Sequence, residues 1–142
     1  MRLYSVVVPV YNRPQEVEEL LESLSSQTYQ NFEVIIVEDG STNKCQWVVN
    51  SFKAKLIVSY YFKENSGQGF TRNYGFERAK GDYIVVFDSD CIIPKNYFQE
   101  VEEFLNSNPV DAFGGPDKAH PNFNDLQKAI SYYMTSPLTT GG

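Results

Sequence analysis

The stretch Leu3-Tyr4-Ser5-Val6-Val7-Val8-Pro9-Val10, followed by Tyr11-Asn12-Arg13-Pro14, decides how the rest of the chain is read. An apolar, β-branched run of this kind is the pattern of a strand buried in a parallel sheet. Asn12-Arg13-Pro14 turns the chain, and Pro14 is tolerated in a first helical turn. Val17, Leu20, Leu21 and Leu24 then recur at spacings of three and four, which is one face of a helix. Glu16, Glu18, Glu19 and Glu22 fall mostly on its wet side. A strand feeding directly into an amphipathic helix opens a strand–helix–strand unit.

The alternation continues downstream. Val34-Ile35-Ile36-Val37 reads as a second buried strand ending at Glu38-Asp39-Gly40-Ser41, and a helix is expected from about Asn43 to Phe52. Leu56 to Phe62 reads as a third strand, Ser66-Gly67-Gln68-Gly69 as punctuation, and Phe70 to Ala79 as a helix. Gly81-Asp82 turns into Tyr83-Ile84-Val85-Val86-Phe87, a fourth strand. Pro94 opens another helix, with Tyr97, Phe98, Val101, Phe104 and Leu105 on one face. A short strand is expected at Val110 to Phe113 and a helix at Asp125 to Met134. Repetition of this order implies right-handed crossovers and an α/β fold, a mostly parallel, twisted sheet with helices on both faces. In such Rossmann-like sheets ligands bind at the carboxyl ends of the strands.

The totals set bounds on function. At 142 residues, with 42% hydrophobic and 21% charged residues, the chain is one soluble globular domain's worth. Eighteen acidic against 12 basic residues give a formal charge of -6, and no Lys/Arg-rich stretch appears. Nucleic acid is therefore a poor partner, and a bound diphosphate would need an intervening cation. Cys45 and Cys91 lack zinc spacing and read as free thiols of a reducing compartment. No run approaches the ~20 apolar residues of a membrane span, so the location expected is cytoplasmic.

Three motifs at the expected ligand edge carry chemistry. Asp88-Ser89-Asp90 follows the fourth strand directly, and in extended chain residues two apart point the same way, so Asp88 and Asp90 converge while Ser89 faces elsewhere. Paired carboxylates suit a hard cation such as Mg²⁺ or Mn²⁺ together with phosphate oxygens. The same residues also read as solvent-facing turn residues. Asp39 accepts hydrogen bonds at the end of the second strand, either from a nucleotide or from backbone amides as a cap. Gly67, Gly69, Arg72 and Asn73 lie where a loop enters a helix, a place that favours anions. They lack the third glycine of a dinucleotide fingerprint, and the first strand–helix turn contains no glycine. Asp117 is a loop carboxylate within reach of a sugar hydroxyl, His120 reads as a surface residue, and Trp47 as a helix packing residue.

In this order the motifs resemble the family 2 glycosyltransferases, inverting enzymes with the fold called GT-A. The resemblance rests on Val6 to Arg13, on Ser26-Gln27-Thr28-Tyr29 before Phe32 to Ser41, on Asn65 to Gly69, on Arg72-Asn73-Tyr74-Gly75, on Ala79 to Tyr83, and on Phe87-Asp88-Ser89-Asp90. It implies that residues 1–98 form a nucleotide-sugar-binding region ending in the D-x-D motif, and that residues 99–142 begin an acceptor-binding region. Pro9, Tyr11 and Arg13 then wall the nucleotide pocket, Asp39 contacts the base, and Arg72 lies near the nucleotide. Asp88, with Ser89, contacts ribose or metal, and Asp90 is the direct ligand of Mg²⁺ or Mn²⁺. The implied donor is a nucleoside-diphosphate sugar, with uridine diphosphate sugars as the default. The implied acceptor is a saccharide or lipid-linked saccharide in polysaccharide or glycolipid assembly, with peripheral association at the inner membrane face. The catalytic base of such enzymes lies well downstream of the D-x-D, so the chain is expected to be incomplete at its C terminus, with the base beyond Gly142.

Two other classes share single features. A signalling receiver domain also has an acidic strand end like Val37-Glu38-Asp39, but after its first strand, whereas here a whole strand–helix unit precedes it. A D-x-D phosphatase places its motif near the start and follows the second Asp with Thr or Val, where this chain has Cys91-Ile92-Ile93. A non-catalytic nucleotide-binding fragment is the remaining alternative.

Overall fold

Among the described residues four parallel strands form one sheet, in the order β3 (Val58–Lys63), β2 (Phe32–Asp39), β1 (Tyr4–Val10) and β4 (Tyr83–Val86). The structure, a computed structural model, describes residues 1–114. The elements run β1 (Tyr4–Val10), α1 (Pro14–Ser25), β2 (Phe32–Asp39), α2 (Gln46–Phe52), β3 (Val58–Lys63), α3 (Gln68–Phe76), β4 (Tyr83–Val86) and α4 (Tyr97–Ser107). Every pairing is parallel, with Val6 opposite Val34 and Val85, and Val34 opposite Val58. The α/β class, the parallel sheet and the order of the first eight elements are those expected. Residues Met1–Asn108 form one compact unit.

Alternation along the strands divides the core between the two faces. Tyr4, Val6, Val8 and Val10 join Val34 and Ile36 on one face, where α1, α2 and α4 deliver Leu20, Leu24, Val49, Phe98 and Leu105. Val7, Ile35 and Val37 face the other way, beneath Tyr74 and Phe76 of α3. α3 lies close because residue 75 is glycine: a Cβ there would stand 2.4 Å from Val7 Cγ1. Helices therefore cover both faces, and β1, buried along its whole length, is one of the two inner strands.

Several boundaries and side chains depart from expectation. Asp88-Ser89-Asp90 is not extended: the chain leaves β4 at Val86 and turns, with the Cys91 amide donating to the Asp88 carbonyl at 3.1 Å. Trp47, expected to pack, is 60% exposed, because two-turn α2 buries Val48, Val49 and Phe52 and turns Trp47 outward. Phe104 is 48% exposed, and Glu102 is buried in its stead. The Glu102 carboxylate accepts from the Tyr4 hydroxyl at 2.7 Å and pairs with Arg2 at 3.4 Å. Val110 to Phe113 forms no strand: Asp111 interrupts its apolar residues, and so short a stretch does not by itself determine a pairing. Asp117, His120 and the helix expected over Asp125 to Met134 lie outside the described residues.

Candidate functional site

The carboxyl ends of all four strands open onto one cleft of about 430 Å³. β1 delivers Pro9, Tyr11 and Arg13 to it, β2 delivers Asp39, and the turn after β4 delivers Asp88, Ser89 and Asp90. Ser89, expected to face elsewhere, also lines the cleft and is 7% exposed. Arg72 does not line it but stands behind, on α3, its Nη2 donating to Asp88 Oδ1 at 3.0 Å.

The rim is tied together locally. Asn12 takes a left-handed conformation, φ 54°, which asparagine tolerates better than most residues. Its Oδ1 accepts from the Thr42 and Asn43 amides at 2.9 Å each, and its own amide donates to Ser41 Oγ at 2.8 Å. The turn after β1 is thus buckled to the loop after β2. Gly40 at φ 73° lets the loop after β3 approach, since a Cβ there would meet the Asn65 nitrogen at 2.7 Å.

Asp39 is buried at the cleft's inner wall. Its Oδ1 accepts from Lys63 Nζ and from the Ser66 amide at 2.9 Å, and its Oδ2 from the Gly67 amide at 2.9 Å. The amides preceding α3, a natural anion site, thus hold the chain's own carboxylate. Burial alone would raise the Asp39 carboxyl, but the Lys63 ammonium, the two amides and the Thr71 hydroxyl outweigh it and hold it below the usual range. Beside it Glu38 points to the opposite face, accepts from the Cys45 amide at 3.1 Å and from the Tyr60 hydroxyl, and fixes the start of α2. Burial, and then the Glu38 charge, push the Cys45 thiol up to about 12.

Asp88 and Asp90 present a different environment. Their side chains are 56% and 57% exposed, and each is paired with one arginine: Asp88 with Arg72 at 3.0 Å and Asp90 with Arg13 at 3.1 Å. Gln68 Nε2 adds a bond to Asp88 Oδ1 at 3.1 Å. The bonds fall on Asp88 Oδ1 and Asp90 Oδ2, and both residues line the cleft. Among the described residues no group of three or more His, Cys, Asp or Glu side chains is placed to hold a metal ion. A hard cation here would take carboxylate oxygens from this pair and complete its shell from a ligand and water, a donor set that suits Mg²⁺ or Mn²⁺.

Lys63 and Gln68 carry no expectation from the sequence. Lys63 had one legible signal: it ends an apolar strand, as Asp39 does, and the two are register partners. Gln68 had none, since only the approach of α3 to the turn after β4 gives it a role.

Residues 5–140 match the sequence profile of glycosyl transferase family 2. GlyG, a glycosyltransferase of Streptococcus pneumoniae, is 33% identical over 135 residues, which are 94% of this chain and 44% of GlyG. An uncharacterized glycosyltransferase of Haemophilus influenzae is 38% identical over 137 residues, 96% of this chain and 44% of its own. Among solved structures, Staphylococcus aureus TarS 1-349, also determined with UDP and with UDP-GlcNAc, superposes with a TM-score of 0.72 at 30% identity, covering 80% of this chain and 38% of TarS 1-349. The mannosyltransferase PcManGT of Pyrobaculum calidifontis, in complex with GDP-Man and Mn²⁺, gives 0.62 at 26% identity, covering 66% of this chain and 29% of its own. The chain spans less than half the length of each of these proteins.

Proposed function

The chain belongs to the family 2 glycosyltransferases, and from that premise we propose that its cleft binds a nucleoside-diphosphate sugar with a divalent metal for transfer to an acceptor hydroxyl. The observation that carries the reading is the meeting of Asp39, Asp88 and Asp90, from two different strand ends, on one cleft, with Arg13 and Arg72 as counter-ions of the exposed pair. Exposed ion pairs of this kind are worth about 0–1 kcal/mol. They are weak enough for the arginines and carboxylates to exchange partners when a dianion and a dication arrive together.

Pro9 and Tyr11 wall the nucleotide end, and Asp39 contacts the base through Oδ2, which accepts fewer hydrogen bonds than Oδ1. Asp88 and Ser89 face the ribose or metal side, and Asp90 is the principal metal ligand. Arg13 and Arg72 then turn toward the diphosphate. Bound Mg²⁺ or Mn²⁺ would neutralise charge developing on the departing diphosphate, which lowers the barrier to transfer. Uridine diphosphate is the first candidate nucleotide: TarS, 30% identical, was solved with UDP and UDP-GlcNAc, against 26% identity for the GDP-Man-bound PcManGT. The base that deprotonates the acceptor is proposed to lie in chain downstream of residue 142, in keeping with relatives more than twice as long.

Calorimetric titration of UDP in Mn²⁺ and in a metal chelator tests the reading. Binding is expected only with Mn²⁺, and Asp90→Ala is expected to abolish it. Binding that ignores both Mn²⁺ and Asp90, or no binding of any common nucleoside diphosphate, would refute it.

A further inference from the structure

The Ser26-Gln27-Thr28-Tyr29 motif lies at the C-terminal end of α1, outside the cleft, yet Gln27 is 3% exposed and its side-chain bonds reach far along the chain. Its Nε2 donates to the Pro94 carbonyl at 2.8 Å and to the Ile93 carbonyl at 3.5 Å, and its Oε1 accepts from the Phe98 amide at 3.4 Å. Two neighbours act on the same segment. Ser23 Oγ accepts from the Ile93 amide at 3.0 Å, and the Thr28 amide donates to the Lys95 carbonyl at 3.0 Å. Ile93 itself is buried in the core on the α1 side.

The D-x-D turn is therefore held at two ends by different means. At its start the Phe87 amide still bonds to the Val7 carbonyl, as an extension of the sheet. At its far end no strand or helix exists until Tyr97, and residues 93–95 are tied by Ser23, Gln27 and Thr28, at the end of α1 and just past it. We infer that Gln27, with Ser23, is the positioning residue for Asp88 and Asp90: it fixes the downstream anchor of the turn that carries both carboxylates. A buried amide suits this task because one side chain both donates to carbonyls and accepts from an amide, so the two ends of the 93–98 segment are satisfied together. The inference rests on the donor- and metal-binding reading above. It adds to it a residue that touches neither nucleotide nor metal.

Gln27→Met keeps length and burial but removes both donor and acceptor. In the full chain, the Ile93 and Phe98 amides are expected to exchange with deuterium faster, with β1 and β2 unchanged. The apparent Kd for Mn²⁺ in the presence of UDP is expected to weaken about tenfold, the scale on which supporting contacts tune metal sites. Ser23→Ala, a milder change, is expected to do the same to the Ile93 amide alone and guards against a Gln27 variant that does not fold. Unchanged exchange at residues 91–98 overturns the inference whether or not UDP binds. Faster exchange with an unchanged Mn²⁺ affinity also overturns it, since Gln27 would then be only a packing residue. If the unaltered chain shows no Mn²⁺-dependent binding of UDP, the donor reading itself fails, a result distinct from equal binding by chain and variant.

Discussion

Asp39 is where fold and site compete for one side chain. It is legible in the sequence as an acidic strand end, with two readings open there, a nucleotide contact or a cap. The structure places it on the cleft and has it hold the loop before α3, because the Lys63 and Ser66–Gly67 donors arrive from a strand and loop some 25 residues downstream. No local pattern encodes that convergence. Its pH consequence comes from the sign of the shift. A carboxyl held below its ordinary value binds its proton less readily in the folded state than in the unfolded one. The stabilisation is complete above the unfolded value, near 4, and is lost as pH falls through the folded one. Asp39→Asn is expected to be less stable than the parent by about 2–3 kcal/mol at pH 7, the scale of hydrogen bonds to a charged group. The gap should narrow as pH falls from the unfolded value through the lower, folded one. Urea midpoints of both chains across acid to neutral pH measure it, and a gap independent of pH would mean that the charge on Asp39 contributes nothing.

At the scale of elements, the sequence speaks clearly where burial is continuous and poorly where it depends on partners. β1 and α1 are evident from their periodicity alone. α4 is legible as a helix, but its buried face is not fully so: counting Phe104 in that face ignores Glu102, which is buried only because Arg2 and the Tyr4 hydroxyl meet it from β1 and the residues before it, some hundred residues away. The D-x-D turn sits at a strand end as its sequence suggests, but its shape is not legible there, since turn geometry is set by the Gln27 contacts and by Cys91 closing on Asp88. α3 shows what the close approach of one element requires. Val7 sits at 0% exposure in an inner strand, flanked by β2 and β4, and has no room to retreat from residue 75. In Gly75→Ala the helix must shift instead, at a cost of about 1–3 kcal/mol for overpacking. Because α3 also carries Gln68 and Arg72 to Asp88, UDP affinity should fall with stability. Val7→Ala in the same chain makes room for the new methyl and is expected to restore both in part. A double-mutant cycle in urea, with UDP titrations alongside, would show an additive pair if the contact does not limit the helix's position.

For the whole molecule, the cleft is a joint product of all four strands, so no part of it survives the loss of any one. β1 supplies Arg13 and the Asn12 buckle, β2 supplies Asp39, the chain after β3 supplies Gln68, and the turn after β4 supplies Asp88 and Asp90. A ligand that needs these groups together binds only the folded state and must raise its stability by mass action, about 2.7 kcal/mol at a hundred times Kd. In a domain of this size that corresponds to a Tm increase of roughly 5–10 °C. The formal charge of -6 opposes a diphosphate on its own, and the two arginines are already engaged by the carboxylates that a metal would take over. UDP with Mn²⁺ is therefore expected to give the full shift, UDP with a chelator much less, and Mn²⁺ alone little. In Asp90→Ala the shift with both should disappear although the variant remains folded, because Asp90 is exposed and lies outside the core. Differential scanning calorimetry over these four conditions separates a cation bridge from simple charge attraction. Equal shifts with metal and with chelator would leave Arg13 and Arg72 as sufficient anion receptors and remove the need for a metal at Asp88-Ser89-Asp90.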